Sequence, residues 1–498
     1  MDCSLPGSSV YGTLQARILE WANRLSITYL NYYFFRMLDR TIPPLVQNTL
    51  FSLRRPTEYI LPGGIPLYIV EAPGTGALRL DVVFPAGKQS EARNLQSYYA
   101  VQMLREGCQG YTAAEFAERV DYYGTGLRAT VLMNRTCVSL VTLKKHFAPT
   151  IELMHRMLTA PAYDEDRLRT RCEADKAQML VNLKKGGFIA MRALRQSIYG
   201  EHHPCGLLVE VEDYDTLTSQ SLREYYDRCY SHGPCKLFLS GDVDDSVVGH
   251  VVATFGSRQS AANGQRITQG VQLTIDNSQL TVGSVLNENE IRVGDFFNSH
   301  SKRTAPQSIA LTLPDAVQDT IRMGCPMMDV SHPDYGHMRV LTTVLGGYFG
   351  SRLMQNVREE KGYTYDIGAH LVTTIPQVLF CVYCEAQAGK AREVIGEVYK
   401  EMRRLQTELI SDDELLMVRN YMLGDLCRNY ETAFDLIDAY LFEDHLGLPP
   451  THFDQMFAAV QTASPERLRQ LAQQYLRPEM MHVVVVSNGE NENYCVKI

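Results

Sequence analysis

Two segments far apart in the chain follow the same order of structural signals. The run ending at Leu168 leads into a long polar helix, and the run ending at Leu415 repeats it at an offset of 415 − 168 = 247. Leu222 and Leu468 each lie in a helix start that is followed by a strand, at an offset of 468 − 222 = 246. Because chance does not easily keep such a register, the sequence predicts two related domains.

Start signals for helices support both copies. Asp164 is a good N-cap, and Pro465 lies in the first turn of its helix. Ser411 followed three residues later by Glu414 predicts a capping box. The alternation in LRLDVVF at 78–84 predicts a strand. The predicted fold class is α+β, with two homologous domains that each contain a mostly antiparallel sheet covered by helices.

The domain boundaries follow from composition. Residues 1–36 lack helical periodicity and caps, and we expect an extraneous or disordered N-terminal extension there. An N-terminal domain is expected at 37–258 and a C-terminal domain at 305–498. Between them, 259–304 is rich in Gly, Ser, Asn and Gln and is predicted to be a linker with a small insertion.

Composition excludes several classes of function. The formal net charge is −9 and no stripe of Lys and Arg occurs, which argues against nucleic acid as a partner. No run approaches the ~20 apolar residues of a membrane span. The 12 cysteines are scattered, which predicts buried free thiols and a cytoplasmic location, with the periplasm as the less favoured alternative. Cys381 and Cys384 have the spacing of zinc ligands, but on a strand their thiols point to opposite faces.

Arg358 and Tyr365 lie at a predicted change from helix to strand. The run 351–361 is rich in helix formers, Gly362 suits the C-terminal cap, and a strand is expected from Tyr363. An ordinary structural role for each is also open, since an Arg is favourable at a helix C-terminus and Tyr is common in strands.

These segments resemble the pitrilysin, insulinase and mitochondrial-processing-peptidase family of inverted zinc peptidases. The resemblance rests on MLDRTIPP from Met37, on TAAEFAE at 112–118 and on REEKGYTY at 358–365, where Arg358 and Tyr365 have the family spacing of 365 − 358 = 7. It implies half of a peptidase clam-shell, of the bacterial type in which the zinc half and the Arg/Tyr half can be two different subunits.

The resemblance also indicates that the zinc motif has been lost. In the family a helix carries His-x-x-Glu-His, and the TAAEFAE segment aligns that motif with Tyr98, Val101 and Gln102. The family's third ligand, counted on from there, falls on Gln178. Since Val has no donor atom and neutral amides are poor zinc ligands, we expect no metal and no cofactor in this chain.

The function implied is that of a non-zinc subunit of a metallopeptidase. Tyr365 and Arg358 would bind substrate and the developing oxyanion in trans, while a homologous subunit with His-x-x-Glu-His would supply the zinc and peptides would be the substrates. For the isolated chain a homodimer is an open alternative. A second hypothesis is a catalytically inactive pseudo-peptidase with a structural or peptide-binding role. An enzyme with unrelated chemistry finds no supporting motif.

Overall fold

The computed structural model describes residues 53–256, 305–373 and 377–489, all within one compact unit, 48–498. The predicted extension at 1–36 and the predicted linker at 259–304 lie outside the described residues. Among the helices of the described ranges, none combines the length and the apolar character that crossing a bilayer requires.

Two mixed sheets form the framework of this unit. The first has six strands in the order β1-β2-β6-β3-β5-β4, and the second has five in the order β7-β11-β8-β10-β9. All neighbours are antiparallel except β2 with β6 and β7 with β11, so the expected mostly antiparallel sheets are confirmed. The strands are β1 (Thr57–Ile60), β2 (Pro66–Glu71), β3 (Ala77–Phe84), β4 (Gly126–Val131), β5 (Thr136–Leu143), β6 (Lys236–Gly241), β7 (Ser308–Thr312), β8 (Gln318–Asp329), β9 (Thr364–Val372), β10 (Gln377–Gln387) and β11 (His482–Ser487).

Helices cover both sheets. In chain order the α-helices of the described ranges are α1 (Gln96–Gln102), α2 (Ala113–Tyr122), α3 (Phe147–Thr159), α4 (Glu165–Asn182), α5 (Gly186–Tyr199), α6 (Ser219–Cys229), α7 (Asp245–Phe255), α8 (Tyr335–Thr342), α9 (Ala391–Thr407), α10 (Asp412–Asn429), α11 (Ala433–Leu446), α12 (His452–Thr462) and α13 (Pro465–Tyr475). This arrangement confirms the α+β class.

The duplication read from the sequence is present in the fold. Helix α4 and its copy α10 start 412 − 165 = 247 residues apart, and β6 and its copy β11 start 482 − 236 = 246 apart. Without β1, the two sheets also have the same strand order, because β2, β6, β3, β5 and β4 correspond to β7, β11, β8, β10 and β9. The offset therefore predicted pairs of equivalent elements.

The predicted caps are confirmed with one exception. Asp164 accepts a hydrogen bond from the backbone N–H of Arg167, and Ser464 caps the helix that begins at Pro465. Ser411 caps α10, but the predicted capping box there is wrong. The carboxylate of Glu414 turns instead to Arg352 and accepts two hydrogen bonds from its guanidinium, at 2.8 and 2.9 Å, because a bidentate ion pair is stronger than a single bond to a backbone N–H.

The two halves exchange a helix. Helix α5, which belongs to the first repeat, packs on β8 and β11 of the second sheet, where Leu194 and Ile198 are buried against Val484. Helix α11, its copy at an offset of 433 − 186 = 247, packs on β2 and β6 of the first sheet. There Ile437 is buried with Phe238. In each sheet, one face is therefore covered by a helix from the other repeat.

Local chemistry fixes both exchanged helices. Gly186 opens α5 so close to β8 that a Cβ atom at this position would lie 2.5 Å from Oγ1 of Thr320. On the other side, the fully buried Asp81 pairs with Arg79 at 2.8 Å, and Arg79 reaches Asp438 of α11 at 2.7 Å. Since breaking a buried ion pair leaves an uncompensated charge, this network specifies where α11 docks.

We expect substitutions in either exchanged helix to destabilise both halves together. Leu194→Ala and Ile437→Ala each remove a fully buried side chain and should lower the free energy of unfolding by about 2–5 kcal/mol. The half-exposed Leu409 gives the control, because Leu409→Ala should cost under about 0.5 kcal/mol. Denaturant unfolding followed by circular dichroism should show one transition that shifts as a whole. Two transitions, of which only one moves, would contradict the exchange as the link between halves.

Candidate functional site

The helix that carries the degenerate zinc motif is short and lies over the first sheet. Val101 is fully buried in the core of this half, whereas Tyr98 is 38% exposed. The intervening Tyr99 is buried, and its hydroxyl donates to Oδ2 of Asp175 on α4 at 2.9 Å. Helices α1 and α4, which carry the aligned positions, are therefore in direct contact.

Gln102, at the position of the second His, is held by protein groups. Its carbonyl oxygen accepts from Nη2 of Arg105 at 2.8 Å and lies 3.5 Å from Nη2 of Arg171. Its amide nitrogen donates to the carbonyl of Ala129 at 3.4 Å, and Arg105 donates to the carbonyl of Leu127 at 3.3 Å. Both carbonyls belong to β4, the last strand of its sheet, so the side chains at the end of the motif hold that edge.

A guanidinium joins the two aligned positions on α1. Arg171 of α4 lies near enough to Tyr98 for the phenol to affect its pKa, and its Nη2 atom lies 3.5 Å from the carbonyl oxygen of Gln102. Burial would lower the pKa of Arg171, but the neighbouring Tyr98 and the charges of Asp175 and Glu106 raise it overall. A fixed positive charge therefore lies between the positions that would carry the two histidine ligands.

The residues present do not fit zinc. Gln178 is exposed and donates to Oδ1 of Asn182 on its own helix at 3.2 Å, so the described contacts of Gln178 do not lead to Tyr98 or Gln102. Within 53–256, 305–373 and 377–489 no group of three or more His, Cys, Asp or Glu could hold a metal ion. A phenol, a valine and two amides beside an arginine offer none of the thiolate, imidazole or carboxylate ligands that zinc requires.

Arg358 and Tyr365 lie where the sequence placed them, at a helix end and a strand start. The helix differs from the prediction, since residues Met354–Glu360 form a π-helical turn, a rare form that is frequent at functional sites. Gly362 has φ +64° and receives the expected C-terminal role, because its N–H and that of Tyr363 bond back to the carbonyls of Arg358 and Val357. Strand β9 then begins at Thr364.

Two aromatic rings enclose the guanidinium of Arg358. Its Cζ atom lies 5.0 Å from the ring centre of Tyr365 and 4.5 Å from that of Phe349, within the range of cation–π attraction. Both rings are largely exposed, at 81% for Tyr365 and 68% for Phe349, whereas the Arg358 side chain is only 23% exposed. The sequence reasoning missed Phe349. The sequence feature that could have indicated Phe349 is an aromatic residue next to Gly350, just before the helix that carries Arg358.

A second π-helical segment, Thr343–Gly347, supports the strand that carries Tyr365. Gly346 packs so closely on β9 that a Cβ atom there would lie 2.4 Å from the backbone nitrogen of Ala369. Only glycine fits this approach. Gly346 thus lets β9 lie directly on this π-helical segment.

Comparisons with known proteins agree with this fold. Residues 216–422 match the family described as Peptidase M16 inactive domain, a range that runs from just before α6 into α10. The segment 216–422 is therefore similar to the M16 peptidase family, and its description there is that of the inactive domain. The resemblance to the pitrilysin and insulinase peptidases, drawn from the TAAEFAE and REEKGYTY segments, is confirmed.

The names of similar proteins differ on whether those proteins are peptidases. An uncharacterized zinc protease, YmxG of Bacillus subtilis strain 168, is 19% identical over 437 residues, which are 87% of this chain and 98% of that protein. The non-peptidase homolog YmxG of Helicobacter pylori is also 19% identical, over 78% of this chain and 84% of its own. The crystal structure of a peptidase M16 inactive domain from Pseudomonas fluorescens aligns with a TM-score of 0.70 at 17% identity, over 87% of this chain and 98% of the other, which supports the fold.

We expect the purified chain to bind no stoichiometric zinc at the aligned motif, because the ligand types are absent and the Arg171 cation opposes a second one there. Elemental analysis after dialysis against a zinc buffer should give far less than one zinc per chain. Close to one zinc per chain that is lost in Gln102→Ala or Gln178→Ala would contradict this account, whereas retention in both variants would place the metal elsewhere.

Proposed function

We propose that this chain is the non-zinc subunit of an M16 peptidase and that it supplies Arg358 and Tyr365 to a zinc-bearing partner. The observation that carries the proposal is the Arg358–Tyr365 pair itself. Tyr365 is exposed, and its hydroxyl has no hydrogen-bond partner among the described residues, while the Arg358 guanidinium is fixed beside its ring. A side chain with only a structural role has no need of such exposure.

The pair has the chemistry for binding a peptide bond. A phenol hydroxyl donates a hydrogen bond to a carbonyl oxygen and more strongly to the oxyanion that develops when water attacks. The guanidinium offers several N–H donors in a fixed plane and can hold substrate backbone carbonyls or orient the phenol. The rings of Phe349 and Tyr365 restrict the guanidinium to one side, which reduces the conformational entropy lost on binding.

Under this proposal a second chain must supply the zinc ion and the activated water. The aligned motif here holds Tyr98, Val101 and Gln102, so the zinc and its activated water would come from a homologous subunit with His-x-x-Glu-His. In this proposal Arg358 and Tyr365 line a cleft. The helix that carries Tyr98 faces this cleft, and the partner's zinc would lie in it. The cysteines of the described ranges are all free, which supports a reducing, cytoplasmic location.

The second candidate is a pseudo-peptidase that binds peptides or serves as structure. The observation that favours it is the Arg171 guanidinium between Tyr98 and Gln102, since a fixed cation replaces the metal's charge without its chemistry. The H. pylori relative carries the name of a non-peptidase homolog, which is compatible with either candidate. Dependence of catalysis on Tyr365 separates the two.

In a mixed complex of this chain with a His-x-x-Glu-His homologue, we expect Tyr365→Phe to lower the turnover rate by roughly 10²-fold or more. This is the scale of losing one oxyanion donor. The change removes one hydroxyl oxygen from an exposed ring, so folding and assembly should be unaffected. Hydrolysis of a fluorogenic peptide gives the rate, and size-exclusion chromatography gives the extent of assembly. Tyr122→Phe is the matched control, because Tyr122 is also a highly exposed tyrosine and lies on α2.

A mixed complex that hydrolyses peptide at the wild-type rate with Tyr365→Phe would reject the catalytic proposal and leave the pseudo-peptidase. Loss of assembly with Tyr365→Phe would give Tyr365 an interface role instead.

A further inference from the structure

Three arginines surround the degenerate motif. Arg105 follows α1 directly, and Arg167 and Arg171 lie one turn apart on α4. The carboxylate within ion-pair distance of this group is Glu106, which Arg167 approaches to 2.5 Å and Arg171 to 3.6 Å. Asp175 lies near as well, but its Oδ2 atom already accepts from the Tyr99 hydroxyl. Among these five side chains the cations outnumber the anions by one, and the carboxylates of Glu115 and Asp164 lie further along, in the wall of the adjoining cavity.

The Arg171 guanidinium makes long polar contacts with Glu106 and Gln102. The distances to Glu106 and to Gln102, 3.6 and 3.5 Å, are beyond the usual length of a charge-assisted hydrogen bond, which is about 2.7–2.9 Å. Its buried Nε atom finds no acceptor among the described residues. A buried donor that lacks an acceptor costs free energy, so the hydrogen-bonding capacity of this guanidinium is incompletely used in the described structure.

Arg105 is similarly under-satisfied. Its partners in the described structure are neutral, namely the amide oxygen of Gln102 and the carbonyl of Leu127. Its Nε atom is also buried without an acceptor in that part of the chain. Because Gln102 contacts both arginines, the two guanidiniums approach the same amide oxygen from different helices. The guanidinium groups of Arg105 and Arg171 therefore both face a single acceptor, the amide oxygen of Gln102.

The neighbourhood is open to a ligand. Tyr98, which lies near Arg171, is 38% exposed. A cavity of about 660 Å³ begins beside the group, where Glu106 and Arg167 form part of its wall. Residues Tyr111 and Thr112 line the cavity further along, next to the start of α2. Glu106, whose Oε1 atom lies 3.6 Å from Nη1 of Arg171, links that arginine to the cavity wall.

We propose that the degenerate zinc site binds a carboxylate of a peptide, with Arg171 and Arg105 as donors and Tyr98 at the rim. A carboxylate matches the planar fork of a guanidinium and brings the negative charge that the arginine cluster lacks. It would replace the neutral Gln102 oxygen as the acceptor between the two forks. This inference goes beyond the proposed function, because it requires neither a partner nor zinc.

The carboxylate has two sources, the C-terminus of a peptide and an Asp or Glu side chain. Three fluorescein-labelled peptides with one core sequence separate them. The first has a free C-terminal acid and no acidic side chain, the second is its neutral amide, and the third is the amide with a single Asp. Fluorescence anisotropy at low salt should give at least one carboxylate peptide a dissociation constant about tenfold or more below that of the neutral amide.

Arg171→Gln should remove this preference while the neutral amide binds unchanged. Arg169→Gln is the matched control, because Arg169 lies on the same helix, is largely exposed and pairs with Asp166 at 2.7 Å. Arg105→Gln gives a second variant, in case Arg171→Gln lowers the melting temperature. Preference for the free acid assigns the site to a C-terminus, and preference for the Asp peptide assigns it to a side chain.

Equal affinity for all three peptides in the wild-type chain would overturn the proposal. A preference that survives in both Arg171→Gln and Arg105→Gln would overturn it too, because the carboxylate would then be bound elsewhere. Neither result affects the role of Tyr365, which is measured with a partner and a different variant.

Discussion

The exchange of α5 and α11 is the interaction on which the rest of the described structure depends. Each helix is encoded in one repeat and buries its apolar face on the sheet of the other, so neither half completes its core alone. Buried polar links reinforce the apolar contacts, as where the Nδ1 atom of His482 on β11 meets Oγ of Ser197 on α5 at 3.1 Å. Through this exchange the helix carrying Arg171 and the strand carrying Tyr365 belong to one compact unit.

The same framework carries two sites of opposite character. At the first-half site a metal motif has given way to Gln102 and Tyr98 around a guanidinium, which keeps a positive charge but provides no activated water. At the second-half site Arg358 and Tyr365 keep the arrangement of a binding pair, with Phe349 as a further wall. Under the proposed function, the first site lacks zinc chemistry and the second would offer donors to a peptide bond. This contrast is what a subunit that depends on a zinc-bearing homologue would show.

The sequence predicted the parts that depend on local rules. The offset between Leu168 and Leu415 predicted equivalent helices, and Asp164, Pro465 and Gly362 marked helix ends correctly, because caps and left-handed turns depend on residues close in sequence. The opposite faces of Cys381 and Cys384 followed from the period of a strand: Cys381 packs beneath α5 and Cys384 lies in the larger core.

Contacts between distant segments could not be read in this way. The side chain of Glu414 binds Arg352, which lies 62 residues away in sequence, and does not form the predicted capping box. The exchange of α5 and α11, the position of Arg171 beside Tyr98, and the ring of Phe349 over Arg358 all depend on tertiary packing that no local pattern encodes. The fold class and the Arg358–Tyr365 junction were therefore predictable, while the neighbours that give each site its electrostatic character were not.

Reconstitution tests the central claim most directly. This chain and a His-x-x-Glu-His homologue from the same source would be purified separately, and peptide hydrolysis measured for each alone and for mixtures at rising ratios. The account predicts no hydrolysis by this chain, little by the homologue, and a rate that rises with added chain until the two are equimolar. A homologue that hydrolyses peptide at its full rate alone, with no change when this chain is added, would contradict it.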